Sequence, residues 1–300
     1  MNPESLAGSY CALATPFIDD EDAAIDFDAF ARLIDHQLDG GTRGLIVAGS
    51  TGEAAALDDE EFSALVRFCV TRVAGRCIVG AGTGHAATRR TIAMTRRAAA
   101  EGVDFALVVT PPYVRPTQDG LLRHYREVAD HGRVPIMLYN VPGRTGCDLL
   151  PETMARLVDH EHIVGIKEAR PEPERMQALL ALQTPGFKIF SGDDPTCVHA
   201  ISQGAAGVIS VSANVAPAAM QRLCEIAATG SPETSALDAR VQVLHAAMGL
   251  QSNPIPVKWA LARLGIGSPR LRLPLLPLAK PYHAQVESAL ASLPMRSQPH

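Results

Sequence analysis

Pro135 to Ala169 reads PIMLYNVPGRTGCDLLPETMARLVDHEHIVGIKEA. It opens on an apolar run, Pro135 to Tyr139, that is too short for a helix. It closes on a second, Ile163 to Ile166, that runs into KEA. Neither run alternates apolar with polar residues as a strand with one wet face does. Each therefore reads as a parallel strand buried on both faces. Between them Pro151 stands at the start of ETMARLVDH, a favoured first-turn position for a helix. Where each run ends, polar, charged and glycine residues collect, as YNVPGRTG and as KEA.

The same texture repeats outward in both directions. Further apolar runs are Tyr10 to Ala14, Gly44 to Ala48, Cys77 to Ala81, Phe105 to Val109, Phe187 to Phe190 and Gly207 to Val211. Helical text fills the gaps. Asp26 precedes FDAFARLIDHQL, with Phe27, Phe30, Ile34 and Leu38 on one face. Asp58 precedes DEEFSALVRFCV, whose first turn is acidic, as the helix dipole prefers. Thr88 opens RRTIAMTRRAAAEG, which closes on Gly102, and Pro217 opens AAMQRLCEIAATG. Eight strand–helix units over about 225 residues fit a (β/α)8 TIM barrel, which takes roughly 250. A doubly wound sheet uses the same alternation. The run ends TP, GSTGE, GTG, TPPY, YNVPGRTG, KEA, SGDD and SVSAN favour the barrel, because nearly every strand delivers chemistry at its C-terminal end. An open sheet concentrates such residues at one switch point. After about Gly230 the alternation gives way to ALDARVQVLHAAMGL, PVKWALARLG and YHAQVESALASL. The expected organisation is thus a catalytic barrel over residues 1–230 and a small helical domain over 231–300.

Composition sets outer bounds. Of 300 residues 47% are apolar and 20% charged, with a formal net charge of −5, close to an ordinary globular protein. No basic stripe suggests nucleic acid as a partner. The start, MNPESLAGSY, lacks the basic and apolar segments of a secretory signal, and no apolar run approaches the roughly 18 residues of a membrane span. A cytoplasmic protein is expected. Cys11, Cys69, Cys77, Cys147, Cys197 and Cys224 are scattered with no CxxC, and read as reduced, mostly buried thiols.

Five residues at the run ends bear on chemistry. Lys167 ends an apolar run, where desolvation favours the neutral, nucleophilic amine; the competing reading is a lysine paired with Glu168 or snorkelling to the rim. Tyr139 ends the preceding strand, either as a proton-transfer group beside Lys167 or as a core tyrosine with a backbone partner. Ser50 and Thr51, in AGSTGEAAAL, lie between glycines that let backbone approach an anion, or form an ordinary turn. Arg144, in YNVPGRTG, is a cation at the mouth that is able to hold a carboxylate, or a solvated loop residue. GAGTGHAAT lacks the full dinucleotide fingerprint. His160 and His162 have no third ligand nearby in sequence, so no metal site is expected, and activation of a keto acid reads as an imine.

The strings AGSTGE, GAGTG, VVTPPYVRPTQDGL, LYNVPGRTGCDLLPET, IVGIKEA, FSGDD, GVISVSANVAP and NPIPVKWAL, in this order and spacing, resemble the dihydrodipicolinate synthase family of the N-acetylneuraminate lyase superfamily over nearly the whole chain. The sharpest is YNVPGRTG; sugar-acid aldolases of the superfamily share the lysine and tyrosine but usually lack this arginine. The resemblance implies condensation of pyruvate with aspartate semialdehyde to a hydroxylated tetrahydrodipicolinate, at the entry to diaminopimelate and lysine. No cofactor is needed beyond the Schiff base. It implies roles as well. Lys167 forms the Schiff base and Tyr139 transfers protons. Ser50 completes a hydroxyl relay with Tyr113, which reaches into a neighbouring subunit of a homotetramer built as a dimer of dimers. Thr51 and the backbone near Ile209 hold the pyruvate carboxylate, and Arg144 faces that of the second substrate. In lysine-regulated relatives a histidine, an asparagine, a glutamate and a tyrosine hold the effector; here Phe62, Ala86, Arg90 and Pro112 stand in their places, which implies a lost allosteric site. Ser50 replaces the commoner threonine, and Arg170-Pro171 replaces a frequent Thr-Gly after KEA. Two other functions stay open: another pyruvate-dependent class I aldolase acting on a hydroxy-keto acid, and a non-catalytic keto-acid-binding regulator.

Overall fold

All eight apolar runs form strands: β1 (Gly8–Ala12), β2 (Gly44–Val47), β3 (Ile78–Gly82), β4 (Phe105–Val109), β5 (Ile136–Asn140), β6 (Ile163–Glu168), β7 (Lys188–Ser191) and β8 (Gly207–Ser210). In this computed structural model each strand pairs in parallel with its sequence neighbours, and β8 returns to β1, closing the barrel. The structure describes residues 5–292. Residues 1–4 of the amino-terminal stretch and 293–300 of the C-terminal region, including the last residue of YHAQVESALASL, lie outside the described residues.

The helices between strands are α1 (Phe27–Asp39), α2 (Asp59–Val73), α3 (Thr88–Ala100), α4 (Gln118–His131), the single turns α5 (Pro142–Thr145) and α6 (Pro151–Met154), then α7 (Pro173–Leu180), α8 (Cys197–Ser202) and α9 (Pro217–Ala228). Their starts follow local chemistry. Asp26 Oδ1 accepts from Ala29 N at 2.8 Å, and Asp58 and Glu61 form a reciprocal capping box at the start of α2. In α1 the face is carried by Phe30 and Ile34 with Leu33 and Gln37, while Phe27 and Leu38 are half-buried.

Most strand ends fall within a residue or two of the runs, and two of the differences have a local cause. β1 ends at Ala12 instead of running to Ala14: Ala14 N turns to the Asn214 side chain at 3.0 Å, so a side-chain acceptor replaces the ladder. The helix expected over ETMARLVDH is one turn long, because beyond Met154 the chain continues in i→i+3 turns (Arg156 N to Thr153 O, Leu157 N to Met154 O). That spacing keeps Met154 and Leu157 both fully buried.

Side chains inside the barrel form one cluster, including Tyr10, Ile46, Phe105, Leu107, Met137, Tyr139, Val164, Phe190 and Ile209. The other strand faces pack outward under the helices. Residues beyond 230 supply α10 (Thr234–Met248), α11 (Ile255–Arg263) and α12 (His283–Ala291). Val241, Leu244, Val257, Leu261 and Val286 join the same apolar cluster as Leu13, Val47 and Val66 of the barrel. The cysteines carry no disulfide, and all but Cys77 are buried. Among the described residues no helix is long and apolar enough to cross a membrane.

Candidate active site

Lys167 points into the barrel because β6 is irregular. Ile163 and Ile166 both belong to the outer cluster, which strict alternation forbids, while Val164 faces inward. The register with β5 shifts by one residue between the Ile136–Ile163 and Met137–Gly165 pairs. After that shift Lys167 comes level with Tyr139 on one side and Phe190 on the other. Gly165 permits the kink: a Cβ there would lie 2.2 Å from Lys188 O. Gly192 makes room for the lysine stem, since a Cβ on it would stand 2.8 Å from both Cγ and Cε of Lys167.

The Lys167 side chain is buried, with its Nζ 4.5 Å from the Tyr139 ring centroid. Burial pulls its amine down from 10.5 to about 8; the Asp194 carboxylate pulls the other way, and the Arg144 charge adds to the lowering. Burial likewise pushes the Tyr139 phenol up to about 12, opposed by Arg144 and by a hydrogen bond with Ser50. The expected pairing of lysine and tyrosine at adjacent strand ends is thus realised, with Ser50 joined to it. A partly neutral amine and a protonated phenol share one water-poor mouth, where attack on a carbonyl and proton transfer are both within reach.

Of the other predicted positions, Tyr113 stands apart from the rest. Thr51 is buried, and its hydroxyl accepts from Asn253 Nδ2 at 2.9 Å. Arg144, on α5, is exposed and donates through Nη2 to Asn253 O at 3.2 Å. Asn253 thereby links the two positions expected to meet carboxylates, and its own Oδ1 is buried with no partner. Ile209, on β8 in register with Tyr10, is part of the inner cluster with Tyr139. Tyr113 is not brought to Lys167 within one chain: it stands 93% exposed after β4, beside the exposed Val114.

Sequence reading does not single out a second group of residues, directly behind Lys167. Glu168 is fully buried at the end of β6. Its carboxylate accepts from Arg175 Nε at 2.9 Å, from Asn140 Nδ2 at 3.1 Å and from Arg170 N at 2.9 Å. Arg175 and Asn140 both reach Asp148 Oδ1 at 2.7 Å, and Arg170 reaches Asp148 Oδ2 at 2.7 Å. Burial raises the Glu168 carboxyl, opposed by Arg175. Arg170, the departure after KEA, thus ties the loop beyond β6 to Asp148 and, at 3.0 Å, to Glu172. Its place directly after Lys167, where an apolar run ends, is the one signal that marks Glu168 in sequence.

The positions expected to have lost an effector site sit apart from Lys167. Phe62 is buried on α2. Arg90 is paired with Asp59, one contact at 2.9 Å, and Arg97 reaches the same carboxylate. Ala86 and Pro112 are half-buried in loops. His160 is bonded to Asp130 at 3.1 Å, and His162 lies 3.6 Å from Glu161.

Comparison with known proteins gives the family of the chain. Residues 5–293 match the Dihydrodipicolinate synthetase family. The 4-hydroxy-tetrahydrodipicolinate synthase of Xanthomonas axonopodis pv. citri is 59% identical over 276 residues, covering 92% of this chain and 90% of that protein. The enzyme of the same name from Xanthomonas campestris pv. campestris is 55% identical, covering 96% and 95%. The crystal structure of the chloride-inhibited dihydrodipicolinate synthase from Acinetobacter baumannii, complexed with pyruvate, superposes with a TM-score of 0.93 at 39% identity, covering 96% of this chain and 98% of that one. Because these matches run through barrel and C-terminal helices alike, the chain belongs to the dihydrodipicolinate synthetase family.

Proposed function

We propose that the chain is a 4-hydroxy-tetrahydrodipicolinate synthase that condenses pyruvate with L-aspartate 4-semialdehyde through an imine on Lys167. The observation that carries this reading is the buried Lys167 amine, lowered to about 8, beside a Tyr139 phenol that is hydrogen-bonded to Ser50. The neutral amine attacks the pyruvate ketone, and the carbinolamine loses water. The imine then accepts the electron pair as Tyr139 moves a proton from the methyl group, leaving an enamine. The enamine carbon attacks the aldehyde, and the amine of the second substrate displaces Lys167 as the ring closes. Thr51 and the backbone near Ile209 hold the pyruvate carboxylate, and Arg144 that of the semialdehyde.

The exposed Tyr113 supports a further part of the reading: it completes the Ser50–Tyr139 hydroxyl relay of a neighbouring subunit, in a tetramer of two tight dimers. No cofactor takes part, and the reaction belongs in the cytoplasm. The division into a catalytic barrel, residues 1–230, and a helical domain from 231 belongs to the same reading, with Asn253 of the second reaching into the first.

The test is a substrate panel at fixed pyruvate, comparing aspartate semialdehyde with hydroxylated keto acids run in the cleavage direction. Preference for aspartate semialdehyde is expected. A faster cleavage of a hydroxy-keto acid would move the chain to another pyruvate-dependent aldolase. Borohydride reduction with pyruvate, mapped by peptide mass, is expected to mark Lys167 alone.

A further inference from the structure

The turn that carries Ser50 and Thr51 has an unusual backbone. Ala48 and Glu53, at its two ends, both have φ of +51°, a left-handed conformation that L side chains rarely adopt. Such residues persist where the surroundings over-determine them. At Glu53 the surroundings come from the far end of the chain. Its side chain is buried, with Oε1 accepting from Lys258 Nζ at 2.7 Å and Oε2 accepting from Arg272 N at 3.0 Å. Lys258 lies on α11, is 1% exposed, and stands 4.0 Å from the centroid of Phe17; Arg272 stands 4.5 Å from the same ring. Burial pulls the Lys258 amine down to about 8, opposed by Glu53. On the other side of the turn, Thr15 Oγ1 donates to Gly52 O at 2.8 Å.

Among the described residues no hydrogen bond or ion pair joins this cluster to Lys167, and Glu53 and Lys258 are 205 residues apart in sequence. A buried ion pair is weak evidence of stability, because desolvating two charges offsets most of their attraction. What the pair does do is anchor Glu53, the residue that ends the turn, to α11. α11 also follows directly on Asn253, which holds the Thr51 hydroxyl. α11 and the residues leading into it therefore hold the turn at two points, Thr51 and Glu53.

We propose that the Glu53–Lys258 pair is a positioning unit: it holds the Gly49–Glu53 turn so that Thr51 meets the pyruvate carboxylate and Ser50 meets Tyr139. This rests on the assignment of Thr51 and Ser50 made above. The pair acts through the turn and touches no reacting atom.

The experiment measures cyanoborohydride trapping of pyruvate on Lys167 against pyruvate concentration, with the thermal midpoint recorded beside it. Glu53→Gln keeps the shape and removes the charge. It is expected to raise half-saturating pyruvate about tenfold or more, since ångström-scale misplacement of a binding group costs orders of magnitude. Lys258→Arg keeps the ion pair but shifts the cation, and is expected to fold and to raise the same quantity about threefold by the same reasoning. A merely structural pair gives the opposite pattern: a lower thermal midpoint with half-saturation and limiting trapping rate within about twofold of the unaltered chain, which overturns the proposal. If Glu53→Gln does not fold, the Lys258→Arg result decides alone, an unchanged half-saturation overturning it. The unaltered chain separates the two levels of argument. Absence of an adduct on its Lys167 overturns the reading of the site and the proposal with it, whereas a normal adduct with indifferent variants overturns the proposal only.

Discussion

Burial of Lys167 has two consequences of opposite value, and both are measurable on one residue. At pH 7 an amine with an ordinary value of 10.5 is neutral in only about 0.03% of molecules, whereas one at about 8 is neutral in about 9%, roughly a 300-fold gain in nucleophile. Trapping of pyruvate by cyanoborohydride at subsaturating pyruvate should therefore rise with pH and level off around a midpoint near 8. The same burial costs stability. The folded value lies below the unfolded one, so between about 8 and 10.5 the unfolded chain holds a proton that the folded chain lacks. Stability contributed by this site then rises with pH through that window, and the full penalty is present below it. A shift of this size corresponds to about 3 kcal/mol at pH 7. Lys167→Met removes the ionisable group and keeps most of the stem volume. It should abolish trapping and raise the thermal midpoint by about 5 °C for a chain of this length. A trapping midpoint near 10.5, or a Lys167→Met variant no more stable than the parent at pH 7, would refute the claim that the lysine is held desolvated.

Further substitutions separate the neighbouring roles. Gly192→Ala places a methyl 2.8 Å from the Lys167 stem and should lower kcat about a hundredfold or more with little change in thermal midpoint, as ångström-scale displacement of a nucleophile does; kcat within a few-fold of the parent would show that the lysine relaxes around it. Arg144→Ala should lower kcat/KM for aspartate semialdehyde about ten- to a few-hundred-fold, the worth of one charge-assisted bond of about 1.5–3 kcal/mol, while trapping of pyruvate changes less. Equal losses on both would mark Arg144 as structural. Arg175→Leu strands the fully buried Glu168 and should cost about 3–5 kcal/mol by denaturant unfolding, most of it recovered by adding Glu168→Gln. Lysine should leave the steady-state rate unchanged up to millimolar concentration, because Ala86 and Pro112 offer no polar side chain and Arg90 is a cation already engaged by Asp59; inhibition below a millimolar would show that other side chains have rebuilt the effector pocket.

Local chemistry was enough to read the strands, most helix starts and the pole at which the site lies. Each of these depends on a few consecutive residues: a short apolar run, an Asp58–Glu61 capping box, a proline in a first turn, a lysine where a run ends. The parallel strands and their covering helices follow from them, but a doubly wound sheet would satisfy the same runs; the polar residues at nearly every run end are what favour the closed barrel that forms. Runs of that kind carry no alternation, however, so the text of IVGIKEA does not say which way Lys167 points. The one-residue shift at Gly165 decides that, and it exists only when β5 and β6 pair. Closure likewise decides that Asn253 reaches Thr51 and that Lys258 reaches Glu53, partners 202 and 205 residues apart. It also decides that Glu168 meets Arg175 in a buried network rather than pairing with Lys167. Periodicity and capping are energies of neighbours along the chain and are written in its order. The direction of a buried side chain and the partner of a buried charge are energies of surfaces that meet only after folding, and those the tertiary structure alone decided.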